Sequence, residues 1–559
     1  MSAIRNSPAM EPGWEGWDRV ADVVVVGSGA AGYAAALRAR SDGAEVVMLE
    51  RADRPGGTTA LSGGGFWIPN NSVMRRRGLE DPRDAALRYM ARLAFPQRYY
   101  PEGPTLGLPA GDFTLLEAFY ENGAPAIDAL IQMRALFIDP DFTYPDYHSD
   151  LPEDAAPLGR TLAPVAHPDS QITAGDESGL IGGALMVESM HKKADDLGIP
   201  LLCNHRVVHV VRNEAEEVVG VETQAGRGRG TVLVGARKGV VFATGGFLHN
   251  PELRQAFLRG PAFGGVAAAS NTGDFVAIGA ELGARLGNMS HAWWDQLVLE
   301  VALRSSGVTT EDVWLPFGDS MVQVNRFGRR VVNEKMVYNE RSQVHFTWDP
   351  SRREYPNLLL FQIYDDNVAQ DPTPWVFRGP VPMPDQQVDY VISGETLAEL
   401  AHNIDKRLAS LAQHTGGVRL DPDFIAELER SLARFNEFAD SGIDEDFARG
   451  ATEIQRAWQG PSRSTSTNPC MARFRSTGPY HCIILAAGAL DTKGGPVINE
   501  HAEVLTSAGI PIPGLYGAGN CVASPAGQAY WGAGGTLGPA LAFGYIAGGR
   551  AAADTAREP

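Results

Sequence analysis

The chain has 559 residues, 44% of them hydrophobic and 21% charged, and a formal net charge of −19. That length exceeds what one growing core takes up, so two domains or one elaborated domain are expected, with an ordinary globular composition. The acidic balance argues against nucleic acid and anionic membrane as partners, because both need basic patches.

Residues 1–20 read as a loose tail, acidic at Glu11, Glu15 and Asp18 and without an apolar run, so no signal peptide is expected. The apolar run Val23 to Val26 suits a buried parallel strand, and Gly27, Gly29 and Gly32 follow it in G-x-G-x-x-G spacing. Gly27 permits the tight turn, Gly29 lets a pyrophosphate approach the backbone, and Gly32 lets the next helix pack on the strand. A second apolar run, Val46 to Leu49, ends in Glu50, a carboxylate suited to both hydroxyls of an adenosine ribose. In a chain with 63 glycines the spacing alone is weak; strand, glycines, helix, strand and acid in register are not.

Gly56-Gly57-Thr58-Thr59 and Ser62-Gly63-Gly64-Gly65 continue as a backbone-rich loop. Residues 80–135 read mainly as helix, interrupted by a Pro/Gly-rich stretch from Pro101 to Gly111 that suggests a surface loop or lid. Ala184 to Leu197 has helical periodicity, and Val207 to Thr223 and Thr231 to Phe242 read as strands. The latter enters the tight turn Ala243-Thr244-Gly245-Gly246-Phe247. Gly514 to Asn520 repeats the strand-to-glycine pattern, and Gly532 to Gly538 leads into an apolar helix reaching about Ala552.

The fold class expected is α/β: a Rossmann-like dinucleotide-binding domain assembled from distant segments (21–296 and 481–559), with an inserted α+β second domain at 297–480 carrying helices around 395–412 and 423–440. Four dispersed cysteines (Cys203, Cys470, Cys482, Cys521) without a C-x-x-C pair make zinc sites and disulfides unexpected and suit a reducing, cytoplasmic setting. No uncharged apolar run reaches membrane-spanning length, which leaves only peripheral membrane contact open. No metal is expected.

Taken in order, G-S-G-A-A-G, Glu50, G-G-T-T-A-L-S-G-G-G, A-T-G-G-F and G-L-Y-G-A-G-N resemble the FAD-dependent fumarate reductase/3-ketosteroid dehydrogenase superfamily. Within it the chain is most similar to the 3-ketosteroid Δ1-dehydrogenases, from about residue 20 to residue 550. The likeness includes Ala292-Trp293-Trp294, Gly442 to Phe447, Gly478-Pro479-Tyr480 and Asp491-Thr492-Lys493-Gly494-Gly495. It implies non-covalent FAD at the domain junction; no His or Cys resembles a flavin-attachment motif. Gly27, Gly29, Ala30, Ala31, Gly32 and Glu50 would hold the ADP half, with Gly57, Thr58, Thr59, Ser62 and Gly64 near pyrophosphate and flavin. Ala243 and Gly245 would support the adenosine side, Asn520 and Leu537 would approach the flavin, and Val208, Gly519 and Gly535 are further cofactor-binding positions. Thr272-Gly273-Asp274 resembles a further FAD-contacting turn, through Asp274.

Making a double bond beside a ketone needs a base for the α proton, a clamp for the enolate oxygen and a hydride acceptor. In Arg329 to Tyr338, fumarate reductases resemble the chain up to Asn333-Glu334 but carry arginine at the position of Tyr338; the ketosteroid dehydrogenases carry a tyrosine base there. A free phenol titrates at about 10, so such a base needs help from its surroundings. Tyr147 matches the family's helper tyrosine, with Tyr144 the alternative. Tyr530 and the backbone N–H of Gly534 match the carbonyl clamp, and an amide without a side chain lets an oxygen approach.

Most of the 15 tyrosines are packing residues. Trp293, Trp294 and Trp531 suit an apolar substrate pocket or plain core equally. Asn333 and Glu334 suit loop fixing as well as chemistry, and Arg341 reads as structural before carboxylate-binding. The resemblance implies desaturation of a cyclic ketone, 3-ketosteroid 1,2-desaturation first, with hydride passing to flavin N5 and an electron acceptor, a quinone being one candidate, reoxidising the cofactor. Alternatives are a cyclohexanone-type ketone, C4–C5 desaturation, a fumarate-reductase-like enzyme or a non-catalytic flavoprotein. The 98–112 segment is longer than usual for the family, which leaves substrate identity open, as is oligomeric state.

Overall fold

The computed structural model describes residues 16–170, 172, 182–226, 230–309, 313–375 and 377–559. Residues 1–15 of the expected tail lie outside these. The chain divides into two compact units. One takes the described residues up to Leu253 together with Ala267–Ala292 and Asp491–Pro559; the other takes Arg254–Val266 and Trp293–Leu490.

The first unit is built on an eight-stranded sheet. Strand β1 (Arg19–Val26) lies between β2 (Val46–Leu49) and the strand Thr231–Phe242, all parallel, with Val24 opposite Val47 on one side and Val240 on the other. Leu201–Leu202 extends the sheet beyond β2, and Pro511–Gly517 extends it beyond Thr231–Phe242, both in parallel. Glu503–Leu505 closes that edge antiparallel. Val23 to Val25 are wholly buried, as a strand covered on both faces requires. β1 begins at Arg19, so Arg19 and Val20, expected in the tail, belong to the sheet.

Expected helices appear at Arg83–Ala94, Ala110–Gln132 and Gly182–Asp196. The Pro/Gly-rich stretch between the first two is a chain of tight turns, in which Tyr100 N–H donates to Leu106 O and Leu108 N–H to Thr105 O. The run expected as one strand from Val207 to Thr223 is a hairpin, His205–Arg212 paired antiparallel with Val218–Ala225. Its turn is made by Asn213, whose side-chain oxygen accepts the amides of Ala215 and Glu217.

Helix α1 (Ala30–Ser41) packs on the long helix Leu537–Ala553, and small residues set the spacing. A Cβ placed on Gly544 would lie 2.3 Å from Ala31 O, and one on Gly548 2.1 Å from Ala35 O. α1 buries nearly its whole circumference, which explains its run of alanines.

The second unit is an antiparallel sheet in the order Ala292–Val298, Tyr480–Thr492, Leu359–Asp365, Met321–Val324, with Ile392–Gly394 pairing beside Tyr480–Thr492. Leu359, Phe361 and Ile363 face one core together with Leu400, Ile404 and Leu408 of helix Leu397–Ser410, and Leu428, Leu432 and Phe435 of helix Phe424–Ser441. Leu360 and Tyr364 face the other core with Val298, Ile483 and Leu485. The alternation is that of strands covered on both sides. Among the described residues no helix is long and apolar enough to cross a membrane.

Alanine ordinarily beats glycine inside a helix by about 1 kcal/mol. At Gly544 the close approach reverses the sign: Gly544→Ala should lower stability by roughly 1–3 kcal/mol, read from the urea midpoint. An unchanged or raised midpoint would contradict the packing.

Candidate active site

The glycine-rich turn ends β1. Gly27 has a positive φ of 105°, and a Cβ there would stand 2.2 Å from Ala243 O; one on Gly32 would stand 2.1 Å from Gly27 O. These two glycines let Ala243, the turn and α1 meet backbone to backbone. Gly29 differs: a Cβ there would meet nothing nearer than Thr59 Oγ1 at 3.2 Å. It is the N-cap of α1 and gives that helix no side-chain cap, while Thr59 Oγ1 accepts the Ala30 amide.

Glu50 is buried at the end of β2, with one carboxylate oxygen accepting the amide and hydroxyl of Ser28 and the other accepting the Ala52 amide. The acid therefore braces the turn it follows, and Ser28 also accepts the Gly56 amide. Gly57 stands in open space at φ 48°. Ser62 Oγ donates to Thr59 O and accepts the Gly64 amide, while Gly64 abuts the Gly182 backbone.

A second convergence gathers Thr58, Gly245, Gly246, Asn271 and Asn520. Buried Asp491 accepts the Gly246 amide at 2.9 Å, Asn271 Nδ2 at 2.7 Å and Asn520 Nδ2 at 3.1 Å, and Asn271 Nδ2 also donates to Thr58 Oγ1. Gly519 lies against Ala31 of α1. Asp274 heads the helix Asp274–Glu281 and is held by Arg51 and Arg206. Val208 is half-buried in the hairpin. Leu537 opens the long helix just after Gly535, whose amide donates to Gly532 O.

Tyr147 and Tyr530 are buried side by side, ring centroids 5.3 Å apart. Tyr144 instead stacks on Phe142. The Tyr147 amide donates to Trp531 O, which also accepts Tyr89 OH. Gly534, at φ 82°, has no room for a Cβ, which would fall 2.1 Å from Gly65 O; the Trp67 amide donates to Gly534 O. Trp531 packs with Trp67 and Phe119, a core role in place of pocket lining.

Beneath this pair lies a buried ionic cluster. Asp146 accepts Trp67 Nε1 and the Arg160 amide, and the Arg160 guanidinium pairs with Asp146, Asp81 and Asp154. Burial pushes the Asp146 carboxyl up, against the pull of Arg160. Three acids on one guanidinium fix the segment that carries Tyr147.

In the second unit Tyr338 is buried and opens the helical turn Tyr338–Arg341. Its carbonyl accepts Ser342 Oγ, and Asn339 Oδ1 accepts the Trp294 amide. Trp293 and Trp294 are buried, the latter against Phe346. Asn333 donates to Phe447 O and accepts the Lys335 amide, a loop-fixing role. Arg341 is wholly buried and donates to Gln296 Oε1 and to the carbonyls of Val313, Trp314 and Met336. Burial draws it down to about 10, with Asp295, Glu334 and Tyr338 acting the other way. Glu334 bridges Arg330 at 2.8 Å and Arg449 at 3.2 Å. Burial alone would raise its carboxyl, but the two guanidinium groups hold it below the usual range.

A family model described as FAD binding domain matches residues 22–537. The chain belongs to this FAD-binding family. It is 30% identical to 3-oxosteroid 1-dehydrogenase of Mycolicibacterium smegmatis, over 94% of this chain and 96% of the relative. It is 29% identical to 4-oxocyclohexanecarboxylate 2-dehydrogenase of Sinomonas cyclohexanicum, over 94% of this chain and 92% of the relative. The crystal structure of 3-ketosteroid delta1-dehydrogenase from Sterolibacterium denitrificans, in complex with 1,4-androstadiene-3,17-dione, is similar with a TM-score of 0.79 at 28% identity, covering 96% of this chain and all of that one.

The chain is thus a flavoprotein oxidoreductase with FAD as its cofactor, and its first unit fits that group. An α1 N-terminus whose N-cap residue, Gly29, supplies no side-chain cap, and open space at Gly57 suit a pyrophosphate. Sequence reasoning missed Ser28, Asn271 and Arg160, whose partners range from 6 to 220 residues away without periodic spacing; only the local Asp491 motif carried any signal.

Because the Glu334 carboxyl titrates below its ordinary 4.5, the stability it contributes is complete above that pH and is lost as pH falls through the lower folded value. Glu334→Gln should cost about 3–5 kcal/mol at neutral pH and flatten the acid limb of a urea-midpoint-against-pH curve. A variant curve parallel to the wild type would refute the pairing.

Proposed function

We propose that this flavoprotein introduces a C=C bond beside a ring ketone, with 3-ketosteroid 1,2-desaturation as its reaction. The observation that carries the reading is the buried Tyr147–Tyr530 pair, with Gly534 following in the Tyr530 segment. A carbonyl oxygen held by the Tyr530 hydroxyl and the Gly534 amide finds its growing charge met by two donors fixed in advance. Tyr338 takes the C2 proton, with Tyr147 as its helper. The chemistry that bound FAD would supply is acceptance of the hydride from C1, so that the substrate would lose one proton and one hydride in all. In this reading FAD is held through Gly27, Gly29, Ala30, Ala31, Gly32, Glu50, Gly57, Thr58, Thr59, Ser62, Gly64, Val208, Ala243, Gly245, Asp274, Gly519, Asn520, Gly535 and Leu537. The electrons would then go to an acceptor, for which a quinone is one candidate. The four cysteines are unbridged, which supports a cytoplasmic setting.

The relatives named for ketosteroid dehydrogenation support the substrate class. A second reading, the same chemistry on a monocyclic ketone, is favoured by the equally long match to the 4-oxocyclohexanecarboxylate enzyme. Tyrosine at 338, where the resemblance puts arginine in fumarate reductases, counts against a dicarboxylate.

Anaerobic mixing with 4-androstene-3,17-dione should bleach the flavin and yield a 1,4-diene; bleaching only by 4-oxocyclohexanecarboxylate selects the second reading, and bleaching only by succinate overturns both. Tyr338→Phe should keep FAD and lower turnover by roughly 10²–10⁴. Tyr530→Phe should cost roughly 3–4 kcal/mol of barrier, read as kcat/KM; full turnover in either would refute its role.

A further inference from the structure

Asp491 is a buried acid that the desaturation chemistry does not use. One of its oxygens, Oδ2, gathers three N–H donors from three separate segments: the Gly246 amide, Asn271 Nδ2 and Asn520 Nδ2. Its other oxygen accepts the Thr492 amide, and Thr492 Oγ1 accepts the amide of Phe247. Asn271 carries the tie onward to Thr58 Oγ1, which also accepts the Ala268 amide. One Asp-Thr pair thus fastens four backbone segments, around residues 58, 246, 271 and 520.

The fit leaves no slack. A Cβ on Gly246 would lie 2.3 Å from Asp491 Oδ1 and from Thr492 Oγ1, and one on Gly245 would lie 2.5 Å from Asn271 Nδ2. The four donors are two backbone amides and two carboxamides, all uncharged. Burial is the strongest influence on this carboxyl and pushes it up to about 6, with those donors opposing. An acid kept under such desolvation needs a reason, since an amide would be cheaper to bury. The reason lies in valence: a carboxylate is acceptor on both oxygens, whereas an asparagine would turn an NH₂ group toward N–H donors.

We propose that Asp491 is the positioning residue of the FAD site, the anion that holds the segments of Thr58, Gly245–Gly246 and Asn520 in cofactor-binding geometry. The inference rests on the proposed assignment of those three segments to FAD and is independent of the substrate.

The test compares wild type, Asp491→Asn and Thr58→Val. FAD affinity is measured by fluorescence recovery on diluting each holoenzyme, and the melting temperature of each apoprotein is taken alongside. Asp491→Asn should weaken FAD roughly tenfold or more, the loss of a charged hydrogen bond, beyond what any fall in apoprotein melting temperature accounts for. An unchanged FAD affinity, with or without a lower melting temperature, would reduce Asp491 to a structural tie and overturn the proposal. If Thr58→Val weakens FAD and Asp491→Asn does not, the proposal alone fails; if neither does, the assignment of these segments to FAD fails with it. Should Asp491→Asn not fold, Asn271→Ser removes two of the ties while keeping the acid. It should also weaken FAD, and an unchanged affinity there overturns the proposal.

Discussion

Distant parts of this chain have to bring bare backbone to one place, and the contact of Gly27 with the Ala243 carbonyl is where that is decided. The strand Thr231–Phe242 stays in register with β1 up to this point, Phe242 opposite Val26, and both strands then turn away. Any side chain at residue 27 would drive them apart by its own width, because 2.2 Å is far inside van der Waals contact. Everything downstream inherits the spacing: Gly32 packs on Gly27, α1 on the strand, and the long helix Leu537–Ala553 on α1.

Buried charge is the second organising theme, and it takes three forms. Arg160 answers three carboxylates, Glu334 answers two guanidinium groups, and Asp491 is answered by dipoles. Such groups contribute less net stability than their geometry suggests, since desolvation offsets much of the attraction. They restrict what the neighbouring backbone can do. Around Arg160 that restriction falls on Tyr147, and around Glu334 on the loop leading to Tyr338.

How much of this was legible in sequence follows from range. β1, α1 and β2 were readable because valines, glycines and the terminal acid are local signals, and the helices Leu397–Ser410 and Phe424–Ser441 because their apolar stripes repeat every three to four residues. The hairpin at 205–225 was read as one strand because its turn depends on a single Asn213 side chain in an otherwise strand-like run. Glu50 looked like a ribose ligand from its position, yet its oxygens also brace Ser28 and Ala52, which only the folded turn reveals. Arg160, Asn271 and Asp491 carried no periodicity at all; their partners lie up to 245 residues away.

The packing of α1 on a helix that reaches residue 553 has a consequence for biogenesis. During synthesis β1, α1 and β2 are complete by residue 49. The chain then waits through more than four hundred further residues for the strand Pro511–Gly517 and the helix that cover them. Until that helix is made, the side of α1 that it covers lacks its packing partner. Apolar surface left uncovered in this way is the kind that chaperones shield during synthesis.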